Sequence, residues 1–103
     1  MVEKPLADID SREDTLVDQR QEPLYWVIMH NDPVTTMDFV VMILMRTFGH
    51  AMDKAQELML EIHHTGSSRV ALLPLAMAKF KVGRVHMAAR AHGFPLTCSV
   101  EPD

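Results

Sequence analysis

The sequence predicts an α/β chain of the α+β two-layer kind, with element order βααβαβ: a small, mostly antiparallel three-stranded sheet covered by three helices and preceded by an N-terminal arm. Three observations carry this expectation. Apolar residues between Met37 and His92 recur at intervals of three and four in separate stretches, the mark of amphipathic helices. Shorter runs at 24–30, 69–73 and 96–101 are branched, aromatic or alternating, as strands are. With 103 residues the chain has one core to build, and a small sheet with helices on one face buries this pattern economically.

Residues 1–22 carry seven acids (Glu3, Asp8, Asp10, Glu13, Asp14, Asp18, Glu22) against three bases (Lys4, Arg12, Arg20), a net of −4. Their scattered apolar residues keep no period, so this stretch reads as a flexible acidic extension, with the folded domain spanning 23–103. Leu24 to His30 fits a strand, broken by Asn31-Asp32-Pro33. Thr35 with Asp38 three positions on forms a capping-box variant, opening a helix to Phe48 with Met37, Val40, Val41, Leu44 and Phe48 on its apolar face and Gly49 as its stop.

A second helix is expected from about Ala51 to His64, with Ala51, Ala55, Leu58, Met59 and Ile62 in one stripe and Gly66 as a left-handed stop. Arg69 to Leu73 is a short strand ended by Pro74. The third helix spans about Leu75 to His92, turns Ala78, Val82, Val85 and Ala89 inward, and ends at Gly93. Gly83 lies inside it, at a cost of about 1 kcal/mol relative to alanine unless a neighbouring backbone packs closely there. Leu96 to Glu101 alternates and closes the domain as a strand.

Composition excludes several function classes. The whole chain also carries −4, so residues 23–103 balance at seven acids and seven bases, and there is no basic excess to hold nucleic acid. No run of eighteen apolar residues and no secretory leader pattern occur, so the expectation is a cytoplasmic protein without a membrane span, a monomer by default. The single cysteine, Cys98, alternates with Leu96 and Val100 and reads as buried rather than catalytic. The six histidines hold no H-E-x-x-H pattern, and no nucleophile elbow, phosphate loop or paired-carboxylate motif is present, so neither metal, cofactor nor catalysis is expected.

Two stretches stand out: Asn31 to Val40, which sets an amide and a carboxylate ahead of an apolar helix, and Leu58 to Gly66, which ends another helix with apolar residues beside His63. Taken singly, each residue has a plainer account. Asn, Asp and Pro build turns, a histidine near a helix C-terminus suits the dipole, and Met37, Met59, Ile62 and Leu96 fit a core. Taken together they describe a greasy hole with a polar rim. Asp32 and the Asn31 amide oxygen would accept hydrogen bonds from an ammonium group, and His63 would do so through an unprotonated ring nitrogen, so that binding weakens as pH falls. A protein's α-amine is largely protonated near neutrality and meets that description. Methionine adapts its shape to varied side chains, and filling such a pocket with leucine or phenylalanine contributes about 1.5 to 3 kcal/mol.

Across Tyr25 to Glu101 the sequence resembles the ClpS family, adaptors that hand substrates to the Clp ATPase and its protease. The likeness rests on N-D-x-x-T-x-M-x-F-V, on L-M-L-x-I-H-x-x-G, on the third helix, and on P-L-x-C near the end. It implies a non-enzymatic adaptor for N-degrons, proteins whose first residue is Phe, Leu, Trp or Tyr, which delivers them to the N-terminal domain of a Clp-type AAA+ ATPase. It further implies that Asn31, Asp32 and His63 hold the α-amine, that Thr35, Met37, Val40, Met59, Ile62 and Leu96 line the side-chain pocket, and that Met37 gates against β-branched residues. The acidic extension matches the family's segment that engages the ATPase. Pro33 replaces a common aspartate of the family at the rim, Thr36 a common proline at the helix start, and Val34 a residue that is often aromatic. Ala76 replaces a frequent glutamate at the ATPase contact, where Lys81 matches a basic position. The alternative is an interaction module of the same fold, like the C-terminal domain of the ribosomal stalk protein, docking on another partner without reading an N-terminal residue.

Overall fold

The computed structural model describes residues 22–103; the expected extension over 1–22 lies outside the described residues except for Glu22. Six elements follow one another: β1 (Leu24–His30), α1 (Met37–Arg46), α2 (Met52–Thr65), β2 (Ser67–Pro74), α3 (Leu75–Ala91) and β3 (Thr97–Pro102). The strands form one sheet in the order β2-β1-β3, with β1 antiparallel to both neighbours. The α+β architecture and the expected element order are therefore those observed.

Strand alternation sorts the sheet into two faces. Val27 and Met29 of β1 are fully buried, and opposite them on β3 stand Val100 and Cys98, all turned toward the helices. On β2 the register slips between Val27 and Ile28, leaving Val70 as an extra residue. That bulge shifts the alternation by one, so Ser68 and Val70 before it and Ala71 and Leu73 after it share the inward face. The outward face carries Trp26, whose ring lies 5.1 Å from the Arg69 guanidinium and whose indole N–H donates to Asp103 at 2.8 Å.

The first helix departs from expectation at both its cap and its face. Thr36, not Thr35, is the N-cap, and its hydroxyl accepts from the Phe39 N–H at 3.2 Å. Thr35 is already committed to Asp32 through its N–H and hydroxyl, so the capping role moves one residue on. The buried face is Phe39, Val40, Ile43 and Leu44, while Met37 is exposed and Val41 and Phe48 are half-buried. Residues 39–45 are all apolar, so periodicity could not choose among faces; packing of Phe39 against Phe94 and His92, each with ring centroids 5.0 Å away, makes the choice.

Helix α2 buries Ala55, Leu58 and Ile62 and stops at Gly66, which adopts φ +99°, a conformation that only glycine enters without strain. Ala51 is its exposed N-cap and Met59 is half-buried. Helix α3 buries Ala78, Val85 and Ala89, with Val82 packed at the margin. Side chains then stitch the layers together. Lys81 Nζ donates to the Thr47 carbonyl at 2.7 Å, the Arg90 guanidinium donates to the Phe94 and Leu96 carbonyls at 2.9 Å each, and the Cys98 N–H donates to His86 Nε2 at 3.0 Å. Cys98 itself is buried, which pushes its thiol up to about 12 and makes it a packing residue.

Two expected outcomes follow from α3. A methyl group added at Gly83 would meet no atom within 4 Å, and its φ lies outside the left-handed region, so Gly83→Ala raises stability by about 0.5 to 1 kcal/mol in urea denaturation. His86 is held below its ordinary range, first by burial and then by the Arg90 charge, and its neutral ring accepts from the Cys98 N–H. A lowered folded value means the unfolded chain binds more protons below pH ~6.5, so the contribution is full above that pH and is lost as pH falls below it. His86→Gln, which keeps an acceptor without the proton site, flattens the pH dependence of stability in that window, as denaturation midpoints across pH will read.

Candidate functional site

The site is assembled at the point where β1 hands over to α1 beside the end of α2. The Asn31 N–H donates to the Gly66 carbonyl at 2.9 Å, so the residue leaving β1 is pinned to the residue that closes α2. One turn back from that closure lies His63, on the last turn of α2. Spacing in sequence thus becomes adjacency: Asn31 and Asp32 arrive from one side and His63, Ile62 and Met59 from the other.

Asp32 shapes the loop that follows. Its Oδ1 accepts from the N–H groups of Val34 at 2.8 Å and Thr35 at 2.7 Å, and its Oδ2 accepts the Thr35 hydroxyl at 2.7 Å. Turn building, the plainer account of this residue, is therefore part of its work. Burial by itself would raise its pKa, but the hydrogen bonds from Thr35 and Val34 and the nearby Arg90 charge outweigh it and hold the carboxyl below the usual range. Asp32 is accordingly a fixed negative charge at neutral pH. A carboxylate offers about four lone-pair sites, and three are used, leaving capacity on Oδ2.

An open-mouthed cavity of about 190 Å³ sits at this junction, lined by Asn31, Asp32, Pro33, Thr35, Met37, Val40, Met59, Ile62 and His63. A cavity of about 150 Å³ suffices to take benzene, so this one accommodates a side chain of phenyl or isobutyl size. Its depth is apolar, with Val40 and Ile62 buried and Met59 half-buried, while Asn31 and His63 are exposed at the mouth. Met37, 45% exposed, lines the cavity from its more open side. The Asn31 side-chain amide lines the cavity, and its oxygen is of a kind that can accept a hydrogen bond.

Leu96 is the exception among the sequence-derived candidates. It is 1% exposed, packed in the core, and does not line the cavity. Pro33, in contrast, lines the cavity without having been selected by its pattern. Lys81 and Ala76 lie apart from this site on α3, Ala76 exposed on the first turn and Lys81 bonded to the Thr47 carbonyl.

With this geometry in hand, comparison with known proteins is informative. The family model described as ATP-dependent Clp protease adaptor protein ClpS matches residues 20–99. The Clp protease adapter protein ClpS of Lawsonia intracellularis is 42% identical over 82 residues, covering 80% of this chain and 75% of that protein. The ClpS of Oleidesulfovibrio alaskensis is 36% identical over 102 residues, covering 98% of each. Among solved structures, Agrobacterium tumefaciens ClpS2 bound to L-phenylalaninamide superposes with a TM-score of 0.77 at 29% identity, covering 81% of this chain and all of that one.

Truncating Leu96, a core residue by this geometry, should be read in stability. Leu96→Ala is expected to cost about 2 to 5 kcal/mol of unfolding free energy by urea titration, comparable with other buried leucines.

Proposed function

The chain belongs to the ClpS family of Clp protease adaptors, and from that premise we propose that it captures proteins through a bulky apolar first residue, Phe, Leu, Trp or Tyr, and delivers them to the N-terminal domain of a Clp-type AAA+ ATPase. The single observation that carries this reading is the union of a fixed carboxylate and an apolar cavity in one site. Only the first residue of a chain offers an ammonium group directly attached to the side-chain-bearing carbon, since every later α-nitrogen is an amide. L-Phenylalaninamide, the molecule bound by the Agrobacterium relative, has the same two ends: a free amine and a benzyl group.

In this reading the α-ammonium donates to Asp32 and to the Asn31 amide oxygen, with an unprotonated His63 nitrogen as the third acceptor. Three acceptors match the three N–H donors of an ammonium group. Thr35, Met37, Val40, Met59 and Ile62 then surround the side chain, which contributes about 1.5 to 3 kcal/mol by leaving water. Branching at Cβ would press on the loop and on Met37 at the entrance, so Ile and Val are excluded by shape. Delivery uses α3, where Lys81 supplies charge and Ala76 leaves a flat surface for the ATPase domain. The chain contributes binding and hand-over, with no chemical step of its own.

A labelled peptide beginning with Phe or Leu is expected to bind the full chain in the micromolar range or tighter by fluorescence anisotropy. N-acetylation removes the positive charge and two donors, each worth about 1.5 kcal/mol or more, so affinity falls at least about 100-fold. Asp32→Asn, which keeps an oxygen for the Val34 and Thr35 N–H groups but removes the charge, weakens the free-amine peptide and leaves the far-ultraviolet circular dichroism unchanged. Equal binding of blocked and free peptides would sink the assignment.

A further inference from the structure

A second concavity lies where the middle of α3 passes the C-terminal end of α1. It measures about 230 Å³ and is lined by Arg46, Thr47, Phe80, Lys81 and Arg84. Among the described residues its lining thus holds three cationic side chains and no carboxylate. This gathering of charge is local. Residues 23–103 balance at seven acids and seven bases, yet α3 carries Lys79, Lys81, Arg84 and Arg90 with no acid at all. Like charges held in one concavity repel one another and weaken the fold, so an anion entering it relieves a cost already present.

The lining also says what kind of anion fits. Two guanidinium groups offer forked donors that match the oxygens of a phosphate, and the Lys81 ammonium adds a compact charge. Lys81 Nζ donates to the Thr47 carbonyl at 2.7 Å, which answers the negative end of α1 inside the cleft. An ammonium has three N–H groups, so this bond does not exhaust it. Phe80 is 59% exposed, with the Arg84 guanidinium 5.7 Å from its ring centroid. A ring this wet is a platform on which a flat ring of a ligand stacks. One phosphate beside one platform is the outline of a nucleotide. Three cations serve a single phosphate group, whereas the neutral domain around them supplies no basic track for a nucleic acid strand.

We propose that this cleft binds a nucleoside monophosphate, its phosphate among Arg46, Lys81 and Arg84 and its base stacked on the exposed ring of Phe80. The inference stands independently of how the first cavity is used, since the two share no lining residue.

The test is a titration of the isotope-enriched full chain with AMP, followed through its amide chemical shifts. Signals of Arg46, Thr47, Phe80 and Arg84 are expected to move together and to saturate with a Kd below about 1 mM at low salt. They are expected to return toward their free positions at about 1 M salt, where the screening length drops to about 3 Å. Adenosine, which lacks the phosphate, and inorganic phosphate, which lacks the base, each bind at least about 10-fold more weakly. Arg46→Gln with Arg84→Gln, and separately Phe80→Ala, each weaken AMP by at least about 10-fold and leave the far-ultraviolet circular dichroism unchanged. Inorganic phosphate binding as well as AMP takes the base out of the site, and adenosine binding as well takes out the phosphate; either result overturns the proposal. So does the lack of saturable shifts at these amides, or AMP binding that survives the double arginine variant. A glutamate-rich peptide that saturates the same amides more tightly than AMP also overturns it, by assigning the cleft to an acidic protein partner.

Discussion

A backbone hydrogen bond of 2.9 Å, from the Asn31 N–H to the Gly66 carbonyl, joins the residue that leaves β1 to the residue that closes α2. Gly66 can present that carbonyl because its φ of +99° turns the chain sharply out of the helix. Any residue with a Cβ would be strained there, and the end of α2 would be re-aimed. Everything in the first cavity follows from this join, since it sets His63, Ile62 and Met59 opposite Asn31, Asp32 and Thr35. Asp32 then fixes the other wall by folding Val34 and Thr35 back onto its own carboxylate.

That double duty explains how a carboxylate is kept charged at the mouth of an apolar hole. Transfer of an unpaired carboxylate out of water is costly, and burial here does push Asp32 toward protonation. Backbone and hydroxyl donors reverse the tendency, so the negative charge is present before any ligand arrives and needs little rearrangement to receive one. A positive group meets a prepared partner, while the adjoining cavity asks for apolar bulk. Requiring both at once is a more selective condition than either alone.

Arg90 couples this site to the rest of the domain. Its guanidinium holds the Phe94 and Leu96 carbonyls, shaping the turn into β3, and its charge helps lower both Asp32 and His86. Helix α3 consequently has two working sides. One packs Ala78, Val85 and Ala89 on the sheet, and the other leaves Met77, Phe80 and Arg84 outward beside Arg46. Small inward residues let the helix lie close to the strands, which is why its large side chains are found on the exposed side.

Local chemistry made much of this legible from the residues alone. Gly49, Gly66 and Gly93 all adopt positive φ at the helix ends the sequence marked, and Asn31-Asp32-Pro33 broke β1 where expected. Seven of the nine candidates for the first cavity were read from the residues and two, Thr35 and Val40, were implied by the family resemblance; all but Leu96 line it, and the turn residues and helix end among them are local features whose spacing survives folding. Three matters were settled only in three dimensions. The cap of α1 went to Thr36 because Asp32 had claimed Thr35, a competition that one hydrogen-bonding carboxylate decides. The buried face of α1 was chosen by Phe94 and His92, since an unbroken apolar run has no preferred side. Leu96 went to the core, and β2 turned both Val70 and Ala71 inward, because a bulge and a strand start depend on register with a neighbour distant in sequence. The sequence by itself determined the order of the elements, their approximate limits and the chemistry each junction carries; only tertiary packing decided the exact caps and strand starts and which side of each element meets which partner, because that depends on contacts between residues far apart in the chain.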